Sequence, residues 1–258
     1  MKQVLHNSDL SDHVFKMCTH SSGSIKKKNT NLKWYPADTK ELFKINKRKN
    51  DLRLAPWLNK EIIYSINDYG FRTPQKFDNL QNKKNKRLVV FGCSFTFGIG
   101  INLEDTWGYL LSKELDYELF NLSVPGGSMD SMSRVALAWL DKIKPDLVIL
   151  QQPELSRREY VNETYLVSAG VWNENWFKNV RIFWDDKDDE LNYIKNKQIL
   201  KSIYPNFYEF IREIEDSTRF DMTTFENDTP TPQEWGRDLM HEGPKFHKEL
   251  VKLLKKIL

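Results

Sequence analysis

The chain holds 258 residues, 40% of them hydrophobic and 13% aromatic, with a formal net charge of +3. That length buries one sizeable core, or one core with a small appendage, and the near-balanced charge argues against a nucleic-acid partner. No run approaches the roughly eighteen apolar residues of a membrane span, and the two cysteines, Cys18 and Cys93, are too few for a disulfide framework and suit a reducing compartment.

The opening MKQVLHNSDLSDHVFKMCTH is polar and lacks the apolar stretch of a secretory leader. The expected location is the cytoplasm, and association with a virion or tail would leave the same signature. Residues 1 to about 30 read as loosely ordered, and residues 31–80 as short strands and turns rich in Trp, Tyr and Phe, closing on YSINDYGFRTP. The expected division is an N-terminal extension over 1–80, partly irregular and packed on the core, and a main domain over 81–258. Basic clusters at Lys26-Lys27-Lys28, at Lys47-Arg48-Lys49 and from Lys83 to Arg87 lie in polar, Asn-rich stretches and read as solvated surface.

A regular pattern begins at Leu88. Leu88 to Phe91 is a continuous apolar run, as in a strand buried on both faces. Trp107, Leu110, Leu111 and Leu115 follow at helical spacing with Asp105 as N-cap, and Leu119 to Leu122 is a second strand. From about Ser128 a long helix carries the stripe Met132, Val135, Ala136, Trp139, Leu140 and Ile143, and Pro145 ends it. Leu147 to Leu150 is a third buried strand. This alternation predicts an α/β fold with a mostly parallel sheet and right-handed crossovers. Further on, helical patterns cover Glu190 to Ser202 and Pro205 to Glu215, Arg219 to Phe225 reads as strand or loop, and Pro244 opens a last amphipathic helix with Leu250, Val251, Leu254 and Ile257 on one side. Trp172, Trp176 and Trp184 fall in an irregular stretch and suit either a sugar platform or lid packing.

Ligands of such sheets bind beyond the carboxyl ends of the strands. Three segments meet there: Gly92-Cys93-Ser94, the stretch NLSVPGGS from Asn121 to Ser128, and QQPELSRRE from Gln151 to Glu159. Ser94 is thereby set beside a Gly-Gly turn whose N–H groups can point at a ligand. A serine hydroxyl needs a base to become a nucleophile. His241 is the candidate, with Asp238 three residues before it to hold one ring nitrogen while the other takes the Ser94 proton. His247 is expected to face outward from the last helix, and Cys93 reads as an inert packed thiol. His241 and His247 lack further ligands at metal-binding spacing, so neither a metal nor an organic cofactor is expected.

GCSFTFG, NLSVPGGS and DLMH, in that order, resemble blocks I, II and V of the SGNH (GDSL-type) hydrolase superfamily, and YSINDYGFR resembles the lead-in of many bacterial and viral members. The resemblance spans about residues 60–258. It implies a three-layer α/β/α flavodoxin-like fold and a serine esterase site: Ser94 as nucleophile, His241 as base, Asp238 as its partner, and the N–H groups of Ser94 and Gly126 as an oxyanion hole. The sequence departs from the pattern twice. Cys93 stands where the family has Asp. The third block, usually Gly-x-Asn-Asp, reads Gln152-Pro153-Glu154-Leu155-Ser156-Arg157, so Arg157, Gln152 or Ser156 must supply any third donor. The expected function is hydrolysis of acyl esters, O-acetyl foremost, on a small or carbohydrate-linked substrate. An O-acyltransferase of the same fold and a catalytically weak glycan-binding module are the rivals.

Overall fold

The structure, a computed structural model, describes residues 18–21, 29–78, 80–161, 166–170, 185–211 and 234–258. In chain order the elements are β1 (Thr30–Leu32), α1 (Lys40–Arg48), a 3-10 turn (Leu52–Trp57), β2 (Tyr64–Ile66), β3 (Arg87–Phe91), α2 (Ser94–Phe97), a second 3-10 turn (Leu103–Asp105) and α3 (Trp107–Glu114). Then come β4 (Glu118–Asn121), α4 (Met129–Ile143), β5 (Leu147–Gln152), β6 (Arg158–Val161), β7 (Leu166–Ala169), α5 (Asp186–Ile203), β8 (Tyr208–Ile211) and α6 (Pro244–Ile257).

Four strands pair in parallel in the order β4-β3-β5-β8. Successive side chains of a strand point to opposite faces, and β3 is buried along its whole length. Leu88 and Val90 pack with Trp107 and Leu111 of α3 and Leu250 and Leu254 of α6. Val89 and Phe91 turn the other way, onto Met132, Val135 and Trp139 of α4 and Leu200 of α5. The fold is therefore three layers, α/β/α, in a flavodoxin-like arrangement. Each fully buried aliphatic or aromatic side chain contributes about 1.5–3 kcal/mol to holding these layers together.

The long helix obeys its local signals. Ser128 caps α4 through a reciprocal pair with Ser131, and the helix stops at Lys144, which takes a left-handed φ of 50° just before Pro145. The cap of α3 is Thr106, not Asp105. Asp105 ends a 3-10 turn, whereas Thr106 is extended and its side chain accepts from the Tyr109 N–H at 3.4 Å. The helix expected from Glu190 starts earlier, at Asp186, on a capping box of Asp185 and Asp188.

Three expectations need correction. The helix read from Pro205 is instead β8, which pairs Tyr208 with Ile149 and Ile211 with Gln152. A four-residue run with two aromatics fits either period, and the open edge of β5 decides it. Residues 212–215, the stretch Arg219 to Phe225, and Trp172, Trp176 and Trp184 lie outside the described residues. Second, the segment read as strands and turns also contains α1, started by Thr39, whose side chain accepts from the Leu42 N–H at 3.1 Å. Third, Lys47, Arg48 and Lys49 are exposed as expected, but Arg87 is buried. Its guanidinium donates to the carbonyls of Leu80 (2.9 Å) and Ile143 (2.6 Å). Tyr35, Leu54, Trp57, Ile62 and Tyr64 form a third core with Phe97, Ile99 and Ile101, so the first part of the chain packs on the loop that follows α2. Among the described residues no helix is long and apolar enough to cross a membrane.

Candidate active site

The chain leaves β3 for β4 on one side and returns across it to β5 on the other. The carboxyl end of β3 is thus the point where the strand order reverses, the usual ligand crevice of such sheets. Ser94 stands there as the first residue of α2, half-buried. The backbone N–H groups that open a helix have no partner inside it. At its other end α2 closes on Gly98, whose N–H donates to the Ser94 carbonyl at 3.0 Å and whose φ is 81°.

After β4 the chain keeps company with β3. The Leu122 N–H donates to Val90 O (2.9 Å) and the Val124 N–H to Gly92 O (3.0 Å). Val124 to Gly127 then form a tight turn, with the Gly127 N–H on Val124 O at 2.7 Å. Pro125 occupies its second position, and Gly126 its third with a φ of 71°. That is the type II pattern, in which the third residue must be glycine or asparagine. The turn sets Gly126 at the same strand-end rim as Ser94.

The third segment brings Arg157 in. Its N–H and guanidinium hold Glu154, at 3.2 Å to the carbonyl and 3.0 Å to the carboxylate. Burial works against the guanidinium charge, but the Cys93 thiol and Glu154 beside it hold the pKa above its ordinary value. Arg157 is therefore against the residue that precedes Ser94. Gln152 stays in β5, and Ser156 sits in the Glu154–Arg157 turn.

Asp238 and His241 lie in one turn, tied off by the Trp235–Glu242 bridge and by the Gly236 N–H on the His241 carbonyl at 2.8 Å. The His241 Nδ1 is 2.5 Å from Asp238 Oδ2, and the His241 main-chain N–H donates to Oδ1 at 3.3 Å. Both residues are buried. The imidazole lies on the ring of Phe95, centroid to centroid 4.6 Å, next in sequence to Ser94. Among the described residues the Ser94 hydroxyl makes no hydrogen bond, so the expected Ser94–His241 bond is not formed. Such bonds commonly close only around bound substrate. With Nδ1 taken by Asp238, Nε2 is the nitrogen left to receive a proton.

No protein-family model and no curated protein matches the chain. Solved structures do. The chain is similar to GDSL-type hydrolases. TesA matches over 66% of this chain and 97% of its own, at 14% identity and a TM-score of 0.46. The psychrotrophic esterase EstA from Pseudoalteromonas sp., in a structure inhibited by monoethylphosphonate, covers 67% of this chain and 98% of its own, at 14% identity and 0.37. A G-D-S-L family protein from Desulfitobacterium hafniense DCB-2 covers 67% and 100%, at 14% identity and 0.36. At such identity the functional case rests on the residues at the β3 carboxyl end.

Sequence reading missed Thr96 as the hub of the groups at this strand-end rim. Its carbonyl accepts from Asn121 Nδ2 at 3.2 Å and its hydroxyl donates to Gln151 Oε1, so the ends of β4 and β5 are both tied to α2. Asn121 also turns Oδ1 onto Ser123, accepting its N–H (3.1 Å) and hydroxyl (2.5 Å). Polar residues at the ends of β4 and β5, Asn121 and Gln151, were the available signal. His247 corrects another expectation: it faces inward, only 2% exposed, and its Nδ1 accepts the Trp107 N–H at 3.1 Å. The start of α3 needs an acceptor there, and this histidine supplies it. Burial pushes its pKa down to about 3.

Proposed function

We propose that the chain is a serine ester hydrolase, with Ser94 as nucleophile, His241 as general base and Asp238 as the group that holds the imidazole. The observation that carries this reading is the buried Asp238–His241 pair set on Phe95, directly after a serine that opens a helix at the sheet's switch point. The Ser94 hydroxyl attacks the ester carbonyl while His241 Nε2 takes its proton. The tetrahedral oxyanion is met by the N–H groups of Ser94 and Gly126, each such donor worth about 3 kcal/mol of barrier. His241 then protonates the leaving alcohol, and water, activated by the same imidazole, frees the acid from the acyl-enzyme.

Arg157 replaces the missing third-block asparagine. Its guanidinium already touches Cys93, and a charged donor adds more to an oxyanion than a neutral one. The preferred substrate is an O-acetyl ester on a small or carbohydrate-linked alcohol. An acyltransferase would use the same first step and a sugar hydroxyl in the second.

The test is hydrolysis of p-nitrophenyl acetate together with labelling by a fluorophosphonate probe. Native protein turns over and is labelled, and Ser94→Ala loses both while its melting temperature holds. Undiminished turnover by Ser94→Ala overturns the assignment. An unlabelled native protein that binds glycan tightly establishes the binding module instead.

A further inference from the structure

The turn that carries Asp238 and His241 is held from outside the main sheet. Arg237 immediately precedes Asp238 and is buried. Its guanidinium grips the Asp38 carboxylate through Nε (3.0 Å to Oδ1) and Nη2 (2.7 Å to Oδ2). Nη2 also donates to the Lys33 carbonyl at 2.6 Å, and the guanidinium lies 3.9 Å from the centre of the Trp34 ring. The other oxygen contact of Asp38 comes from Tyr64, whose hydroxyl donates to Oδ2 at 2.5 Å. Tyr64 in turn accepts the Gly100 N–H at 2.8 Å, and the Gly100 carbonyl accepts the Arg237 N–H at 2.8 Å. The ring closes: Asp38, Arg237, Gly100, Tyr64 and back to Asp38.

This ring joins two loops of the site. Gly100 lies on the loop that leaves α2, and Arg237 on the turn that bears the acid and base. Their approach is close: a Cβ built on Gly100, where φ is 79°, would fall 2.7 Å from Asp238 Oδ1 and 2.9 Å from the Arg237 nitrogen. Burial beside Asp38 keeps the Tyr64 phenol protonated, so its donor role is fixed.

We propose that Asp38 and Tyr64 are positioning residues for the Asp238–His241 pair, so that the segment ahead of the main sheet is part of the working site. This rests on the reading of Ser94, His241 and Asp238 given above. Neither residue reaches the substrate; each acts by fixing where Asp238 stands relative to the α2 loop. A displacement of about 1 Å at a reacting group costs on the order of 100-fold in rate.

The test compares Tyr64→Phe and Asp38→Asn with Leu254→Ala, a core truncation in α6 that belongs to a different core cluster from Tyr64. Melting temperature, kcat and KM for p-nitrophenyl acetate, and the far-downfield proton resonance of the His241 Nδ1–H are measured for each. The expected result is a fall in kcat of about 100-fold for Tyr64→Phe, with KM unchanged and the downfield resonance lost or shifted. Leu254→Ala lowers the melting temperature yet keeps both kcat and the resonance. Folded Tyr64→Phe protein with native kcat and native resonance overturns the proposal, and Tyr64→Phe decides alone where Asp38→Asn does not fold. Hydrolysis that survives Ser94→Ala overturns the esterase reading on which this proposal rests, whereas a native resonance in Tyr64→Phe overturns the positioning role by itself, because the resonance reports the Asp238–His241 geometry without any turnover.

Discussion

Asp238→Asn is the sharpest perturbation of the proposed site, because the geometry fixes which way the new amide must face. Asp238 Oδ1 accepts the His241 main-chain N–H at 3.3 Å, and Oδ2 meets His241 Nδ1 at 2.5 Å. In the variant, the amide oxygen stays on the main-chain N–H, since the flipped form would set two donors face to face in a buried turn. The NH2 group then points at Nδ1 and donates to it. The imidazole proton is driven to Nε2, the nitrogen that must accept from Ser94. In a serine protease triad the same exchange leaves the geometry intact and lowers kcat about 10⁴-fold, equivalent to about 5.5 kcal/mol of barrier. The same loss is expected here. The fold should weaken only by about 1.5–3 kcal/mol, the worth of one hydrogen bond to a charged group. Steady-state hydrolysis of p-nitrophenyl acetate, read beside a urea denaturation curve, checks both numbers. A folded Asp238→Asn protein within tenfold of native kcat would refute the tautomer reasoning.

Gly126→Ala places a Cβ at a φ of 71°, which costs about 1–2 kcal/mol; any relaxation of the turn moves the N–H off the oxyanion, and kcat should fall about 10²–10³-fold with KM little changed. His247 is neutral in the folded chain down to about pH 3, whereas the unfolded chain takes up a proton below about 6.5. The unfolded state therefore binds more protons between these values, and stability falls as pH drops through that window, by at most about 5 kcal/mol from this one group. His247→Asn, which keeps an acceptor for the Trp107 N–H, should remove that share of the acid slope in urea titrations from pH 7 to 3, and an unchanged slope would deny it. Arg157→Leu should lower kcat about 10²–10³-fold, and Arg157→Glu further still, if the guanidinium acts on the oxyanion by charge; equal losses for the two would mean that it only fills space.

What could be read from the sequence is what depends on neighbours along the chain. The run at Leu88 to Phe91 and the stripe from Met132 to Ile143 declare their period within one element, and Ser128 and Pro145 mark the ends of α4. Asp238 and His241 are three residues apart and share one turn, so their pairing was also local. The parts that escaped depend on partners far away. Tyr208–Ile211 is a strand because β5 has an open edge, not because of its own composition. His247 turns inward because an N–H at Trp107, 140 residues earlier, needs an acceptor. The grip of Asp38 on Arg237 spans 199 residues, and nothing near either residue announces it. The cap of α3 failed for a different reason. Asp105 and Thr106 both suit an N-cap, and only the 3-10 turn that ends at Asp105 settles the choice.

The buried guanidinium of Arg72 shows how the serine turn is braced without adding negative charge to it. Arg72 is wholly buried, yet its hydrogen bonds go to carbonyls: Gly98 (2.6 Å), Ile101 (3.0 Å), Ile63 (3.0 Å) and Phe97 (3.3 Å). Two of these end α2 and a third lies just beyond, where carbonyls carry partial negative charge and have no partner in the helix. A carboxylate could not satisfy them, and a neutral amide has too few donors. Burial lowers the Arg72 pKa to about 10, which still leaves it charged at neutral pH. Its cation therefore takes up the C-terminal carbonyls of α2 while the N–H groups at Ser94 stay unspent. On the other side of the turn Arg157 adds a second cation beside Cys93. Of the buried carboxylates, Asp38 is held by Arg237 and Asp238 by His241. A negative charge developing on a carbonyl oxygen at Ser94 would thus arise between fixed donors and the two guanidinium cations, which is the electrostatic setting that acyl transfer requires.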